Sequence, residues 1–454
     1  MNLIIIALAA TISASSALEN SGGKASADSR LVRPIGESNP HGAAEGGFPL
    51  GGARVIVVSS LKSDGEGSLR AALREPGPRL VVFEVGGVID LGGVSLNVEE
   101  PMLFIAGESA PAPGITLIRG GLVIEAHHVV VRHIAIRPGD GRVRTDRPWE
   151  PDGITIVRDK GPVHDVLIEN CSATWAVDEN ASISGPRDIR PSDGPEATAH
   201  RVVFRNNLIA EALLNSTHAK GAHSMGLLVH DGIREVVLEG NLFAHNRERN
   251  PRLKGGVEAV IQGNVIYNWG SAAIGMGARG NRENLDGARA VIRNNVALAG
   301  PDSTRRLMVR SVDPGAEVEA LNNLARDFKG GDLPLLDAGL GPLKAPLAGM
   351  PSTKATPSAA AILDSVLRGA GSRPAQRDPV DRRIVTTVIA GTGRIIDSQS
   401  QVGGYPERPE TRRAVVVPGT GAEREAWLRE RMKDLAVDST LDLKPLLNRL
   451  NLPR

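Results

Sequence analysis

The chain carries one hydrophobic pattern that returns seven times. Val129–Ile136, Val166–Cys171, Val202–Leu208, Val236–Leu242, Ala259–Val265, Ala290–Val296 and Val318–Leu324 share a loose template of three apolar residues, a polar one, Asn or Gly, Asn, and an apolar residue. Counted on Asn207, Asn241, Asn264, Asn295 and Asn323, the intervals are 34, 23, 31 and 28 residues. That variable period suits a coil whose loops differ in length. No helix-length segment separates the copies, and they do not alternate as hairpin partners would. Such a repeat buries its apolar side only when successive copies stack as parallel strands, each coil covering the next and supplying the crossover. Asparagine tolerates the left-handed backbone of a tight bend, and stacked side-chain amides can satisfy one another. The five Asn are therefore predicted to form a buried structural ladder at one corner.

The flanks add to this picture. Arg54–Ser59 reads as a strand, and the turn from Gly65 leads into a short helix capped by Ser68, with Leu69, Ala72 and Leu73 as its apolar stripe. Leu80–Val85, Val88–Leu91, Leu103–Ala106 and Ile115–Ile118 are further short strands, each near a Gly or Pro. Beyond Phe328 the template stops. Leu333–Pro379 is rich in Pro, Ala and Gly and predicts an extended segment, with short helices at Glu423–Leu435 and Leu441–Leu450. The organisation expected is a signal peptide and leader over residues 1–27, a parallel β-helix over 28–330, and an extended segment with C-terminal helices packed on it over 331–454. The fold class is all-β, a solenoid with a short N-terminal cap helix and a C-terminal extension.

Composition narrows the function. Aromatic residues make up 3% of the 454 positions, with 52 Gly and 30 Pro, so the core is built from Val, Ile, Leu and Ala. Lys plus Arg number 53 against 52 Asp plus Glu, which excludes a protein coated with nucleic acid or lying on a membrane; any anion site is local. Leu3–Ile12 is an apolar run too short to span a bilayer, and with the small residues after it reads as a secretory signal cleaved after Ala17 or Ala27. A secreted or periplasmic protein follows. Cys171 is the single cysteine and reads as a small buried apolar residue. Trp175 and Trp269 are either sugar platforms or core.

Chemistry concentrates after the Val236 strand, where Arg247, Arg249, Arg252 and Lys254 surround Pro251. A rigid scaffold aiming several cations at one place suits an anionic ligand. Glu150 and Asp152 form one pair of acids, and Asp178 and Glu179 another. Lys220, His218 and His223 lie on the loop before the basic cluster; the histidine spacing reads as substrate contact or structural hydrogen bonding before metal binding.

The chain from about Gly51 to Gly300 resembles the pectate lyase family. The carriers are Val57–Leu61 through Gly65–Leu73, the strand around Asp152-Gly153-Ile154, Glu169–Trp175 with Asp178-Glu179-Asn180, and Arg249-Asn250-Pro251-Arg252-Leu253-Lys254, which follows the family motif Arg-x-Pro-x-x-Arg with Lys in last place. The resemblance implies a right-handed parallel β-helix that cleaves an acidic polysaccharide by β-elimination. It implies Arg249 as base, Lys254 and Lys220 as the other cations of the catalytic set, Ca2+ held by Glu150, Asp152, Asp178 and Glu179, and substrate contacts from Arg252, His218, His223 and Arg247. A further acid expected four residues after Asp178 is Ser182 here. The expected state is a monomer with no nucleic-acid or membrane partner. Two other readings stay open: a β-helix carbohydrate-binding or surface protein without chemistry, and a glycoside hydrolase, which would need flanking carboxylates instead of a basic cluster.

Overall fold

A computed structural model describes Phe48 and residues 50–141, 149–186, 189–190, 192–277, 286–312, 314–350 and 356–453, all within one unit. The signal segment and its cleavage points lie outside these residues. The described chain winds as a right-handed parallel β-helix of three sheets, with 11, 10 and 8 strands. Each copy of the sequence template is now seen to span two sheets. His164–Glu169 belongs to the first sheet, Asn170 turns the chain with a φ of 48°, and Ser172–Thr174 belongs to the second. The next coil repeats this with His200–Arg205, Asn206 and Leu208–Ala210.

The register is one residue to one residue. Ile168, Phe204, Leu238, Ile261 and Ile292 form a continuous interior column, because each strand pairs in parallel with the one before it. At the bend, each ladder asparagine accepts from the next-lower coil and donates upward: Asn207 Nδ2 to Asn241 Oδ1 at 3.0 Å, Asn241 to Asn264 at 3.0 Å, Asn264 to Asn295 at 2.9 Å and Asn295 to Asn323 at 3.0 Å. Four of these amides are buried, and Asn323 is half-buried at the end of the row. One detail corrects the expectation. The left-handed residue is not the ladder asparagine but its predecessor, namely Asn206, Gly240, Gly263, Asn294 and Asn322. The preceding residue turns the corner, and that frees the ladder side chain to point inward and bond. Cys171 heads the row: its N–H donates to Asn207 Oδ1, and its thiol is buried, with desolvation pushing its pKa up to about 12.

The helix Leu69–Arg74 (α1) closes the N-terminal end; Ser68 accepts from the Ala71 N–H, and Leu69 and Leu73 join the core. Downstream, the extended reading of Leu333–Pro379 fails in part. Ala359–Gly369 is a helix (α2) and Pro379–Ala390 another (α3), capped by Ser358 and Asp378. Ile362, Leu363, Val366 and Leu367 make one apolar face at helical spacing, a signal hidden by the Pro-rich stretch before it. These two helices pack on the outer face of the second sheet, against Leu208, Leu242, Val265 and Leu298. Gly421–Lys433 (α4) lays Leu428 against Leu80, Val82 and Phe104 of the first sheet, and Lys444–Arg449 (α5) completes the cover of the second. The third sheet instead carries Thr155, Ser182, Leu228 and Arg252 in one outward row.

Candidate functional site

Successive coils build the site from the bends that lead into third-sheet strands. Asp152 precedes Ile154–Val157, Asp178 and Glu179 open Glu179–Ser184, and Arg249 precedes Arg252–Leu253, with Met225–Val229 between the last two. The Glu179 N–H donates to Asp152 Oδ1 at 3.0 Å, so the two acids stand side by side on neighbouring coils. Glu179 in turn pairs with Met225. Arg249 lies one coil further on, with a left-handed φ of 62°, and its guanidinium reaches back across the Met225 coil to an ion pair with the Glu179 carboxylate.

A second asparagine column fixes this arrangement. Asn180 donates to Asn246 Oδ1 at 3.1 Å and Asn246 to Asn250 Oδ1 at 3.0 Å, while the N–H groups of Ala176 and Ala212 donate to Asn180 and Asn246. All three amides are buried. Because Asn180 and Asn250 directly follow Glu179 and Arg249, the column pins both members of this ion pair by their backbones. The sequence hides this column: its separations of 66 and 4 residues break the period of the first ladder.

The acids are unequal. Asp152 is half-buried, and desolvation together with the neighbouring Asp178 raises its pKa well above the carboxylate range, against hydrogen bonds from Ser182 at 2.5 Å and Thr155 at 2.9 Å. Burial would also raise Asp178, but His223 pulls it down: His223 Nε2 lies 2.6 Å from Asp178 Oδ1, a close contact off the line of a hydrogen bond. The environment therefore favours the charged form at Asp178 and disfavours it at Asp152. Burial lowers the pKa of Arg249, opposed by Asp178 and Asp152. His218 and His223 stack face to face with centroids 3.9 Å apart, and His218 Nε2 is 3.6 Å from both Asp178 and Glu150.

Asp152, Asp178 and Glu179 each bring a carboxylate oxygen within 4.8 Å of the others. Three hard oxygen donors whose charges crowd one another, one of them forced towards its neutral form, fit a divalent cation of the calcium type. Glu150 does not join them. The strand starts only at Ile154, so residues 150 and 152 do not share a strand face, and Glu150 Oε2 instead accepts from the Ala219 N–H at 3.2 Å. Ser182, where a further acid was expected, bonds the Asp152 carboxylate.

The other cations spread out along the strip. Arg247 donates to the Ala222 carbonyl at 3.3 Å and Arg252 to the Gly277 carbonyl at 2.9 Å. Lys254, beyond the strand, has Nζ 3.0 Å from His230 Nε2 and 3.9 Å from Asp231. Lys220 is exposed, and its N–H donates to His218 Nδ1 at 3.0 Å. Arg249 itself is in direct contact with an acid, Glu179. Trp175 and Trp269 are fully buried core residues, which removes them as sugar platforms.

No family model matches the chain. Among curated proteins, the probable pectate lyase C of Aspergillus flavus is 36% identical over 252 residues, 55% of this chain and 51% of that protein. That of Emericella nidulans is 36% identical over 225 residues, 48% and 44% of the two chains. The chain spans about half the length of these relatives. With the probable pectate lyase C of Aspergillus fumigatus the identity is 30% over 373 residues, 79% of each chain. Among solved structures, a pectate lyase bound to hexasaccharide matches with a TM-score of 0.51 at 13% identity, covering 75% of this chain and 98% of that one. A pectate lyase from Bacillus sp. N165 in complex with trigalacturonate matches with a TM-score of 0.50 at 13% identity, covering 74% and 98%. At such identities the structural likeness concerns the fold.

Proposed function

Because the chain belongs to the pectate lyase family, we propose that it is a polysaccharide lyase that cleaves a uronate-rich, pectate-like glycan by β-elimination. The observation that carries the reading is the ion pair of Arg249 with Glu179, which itself stands with Asp152 and Asp178 on one polar strip of the sheet. β-Elimination needs a base for the C5 proton and a way to neutralise the neighbouring carboxylate as charge develops. In this reading Arg249 takes the proton. Burial lowers its pKa, the direction a guanidinium base requires, opposed by Asp178 and Asp152, and Glu179 pairs with it in the resting protein. Asp152, Asp178 and Glu179 are the residues that would hold a divalent ion, calcium in type, which when bound neutralises the uronate carboxylate and acidifies C5. Lys220 and Lys254 offer cations for uronate carboxylates, Arg247 and Arg252 extend the positive edge of the strip, and His218 with His223 lines the side of Asp178. The chain is exported in this reading; among the described residues no helix is long and apolar enough to cross a membrane.

The test is incubation with polygalacturonate and other uronate polymers, with calcium or with a chelator, following the ultraviolet absorbance of an unsaturated product. Absorbance that rises, and rises less with chelator, is expected. Retention of these polymers without any absorbance change would favour the binding-protein reading and reject the lyase.

A further inference from the structure

A second cluster of metal-ligating groups lies on a different corner of the coil, where the chain enters the first sheet. His127 and His128 precede the strand Val129–Arg132, and His164 and Asp165 open the strand His164–Glu169 on the next coil. The three imidazoles each offer a ring nitrogen within 4.8 Å of the other two, and all three are partly exposed. His127 Nδ1 and His128 Nδ1 are 2.7 Å apart, and the His127 and His164 rings stack with centroids 4.8 Å apart and planes 6° from parallel.

We propose that His127, His128 and His164 form a binding site for a divalent first-row transition ion of the zinc type, which clamps two successive coils of the β-helix. Imidazole nitrogen is the donor such ions prefer, whereas calcium takes oxygen. The surrounding groups have the form expected behind such ligands. His164 Nδ1 lies 2.6 Å from Asp165 Oδ2, and His128 Nε2 lies 3.7 Å from the same oxygen. A carboxylate that takes the N–H of a ligating imidazole fixes its tautomer and leaves the opposite nitrogen for the metal. Asp165 is placed to do this for His164, leaving His164 Nε2 as a donor, and its charge stands beside His128.

Asp165 is itself held. It accepts from Arg201 Nε at 2.8 Å and Nη2 at 3.0 Å, and Arg201 Nη2 also lies 3.2 Å from His164 Nδ1. The Arg201 charge is thus met by Asp165 and leaves the cluster near neutral before a metal binds. Zn–N bonds of about 2.0–2.1 Å in tetrahedral geometry place two ligand nitrogens about 3.3 Å apart. The His127 and His128 rings therefore need to separate by only about half an ångström. The competing account is a histidine stack with a packing role only, since His200 continues the column with its centroid 5.2 Å from that of His164.

The experiment uses the full, tag-free chain. Zn2+ is titrated by calorimetry, Co2+ is titrated while following its visible d–d absorption, and the melting temperature is recorded with and without Zn2+. One equivalent bound, with ligand-field bands of nitrogen coordination and a raised melting temperature, is expected. His127→Ala and His164→Ala should each weaken binding by at least about tenfold, and Asp165→Asn by about 10- to 100-fold. His200→Ala, which shortens the stack without removing a ligand, should leave the affinity unchanged. A His218→Ala, His223→Ala double variant separates this cluster from the other histidine pair and should still bind. Circular dichroism establishes that each variant is folded. Absence of binding by the unaltered chain, binding that survives in a folded His127→Ala, His164→Ala double variant, or binding lost in the His218→Ala, His223→Ala variant would each overturn the proposal.

Discussion

In the proposed lyase reading Arg249 is the residue on which the chemistry turns, and its surroundings make that role testable. If it takes the C5 proton, Arg249→Ala should lower kcat by at least about 10²-fold, the lower end of what a positioned base contributes, with little change in affinity for the polymer. Lys220→Ala, by contrast, should weaken binding as measured by affinity electrophoresis. A different residue sets part of the response to acid. His245 is buried between Thr387 Oγ1 at 2.8 Å and Asn268 Nδ2 at 2.9 Å, and desolvation lowers its pKa from 6.5 to about 4. In the unfolded chain it takes up a proton near pH 6.5, and in the folded chain only near pH 4. Its contribution is therefore fully present above pH 6.5 and is lost as pH falls towards 4, by up to about 3 kcal/mol. His245→Gln keeps a donor and an acceptor but cannot charge, so its melting temperature should fall less over that interval than that of the unaltered chain. At this scale the motif around Pro251 singled out Arg249, and the resemblance at two separate stretches singled out Asp152 and Asp178, which the structure brings together with Glu179. Glu150 and Glu179 were both expected among these acids; that Glu179 joins them while Glu150 turns to the Ala219 N–H depends on where the strand begins after Pro151.

The asparagine ladder shows how single side chains become an element. Asn241 accepts from the N–H and Nδ2 of Asn207 and donates to the Phe204 carbonyl and to Asn264. Asn241→Ala leaves these buried groups unpaired, at about 1–3 kcal/mol each, so a loss of about 3 kcal/mol or more is expected in urea unfolding. Asn323→Ala, at the half-buried end, should cost about 1 kcal/mol, because water can reach what it leaves behind. Equal losses at both positions would refute the ladder as a cooperative row. The ladder was legible because its residues recur at one point of a visible repeat. The column of Asn180, Asn246 and Asn250 was not, since nothing in its spacing distinguishes it from ordinary loop asparagines. The helices α2 and α3 were missed for another reason: their apolar faces are short and follow a stretch whose composition reads as extended.

For the molecule as a whole, the decisive fact is which sheet is left bare. The C-terminal helices cover the second sheet and part of the first, and they also bring charged partners to buried side chains. Arg137, fully buried, is held between Asp378 at 2.7 Å and Asp381 at 2.8 Å, and Glu211 is met by Arg383 at 2.6 Å. A chain ended before Ala359 would expose Leu208, Leu242, Val265, Val296 and Leu298 and strand those charges. At about 1.5–3 kcal/mol for each large apolar side chain, the loss is comparable to the whole stability of about 5–15 kcal/mol of an ordinary domain. The truncated chain is expected to be insoluble, and a soluble product with the far-ultraviolet spectrum of the intact one would contradict this. The sequence by itself determined the coil, because stacking repeats its apolar triplets and its asparagines at a period that local reading can count. It also singled out Arg249 as the candidate base, through a motif whose residues are contiguous from Arg249 to Lys254. Only the tertiary structure decided which acid meets Arg249, which bends face the bare sheet, and which histidines come together. Those contacts join residues a coil or more apart across loops of unequal length, and their partners are chosen by the register of stacked strands.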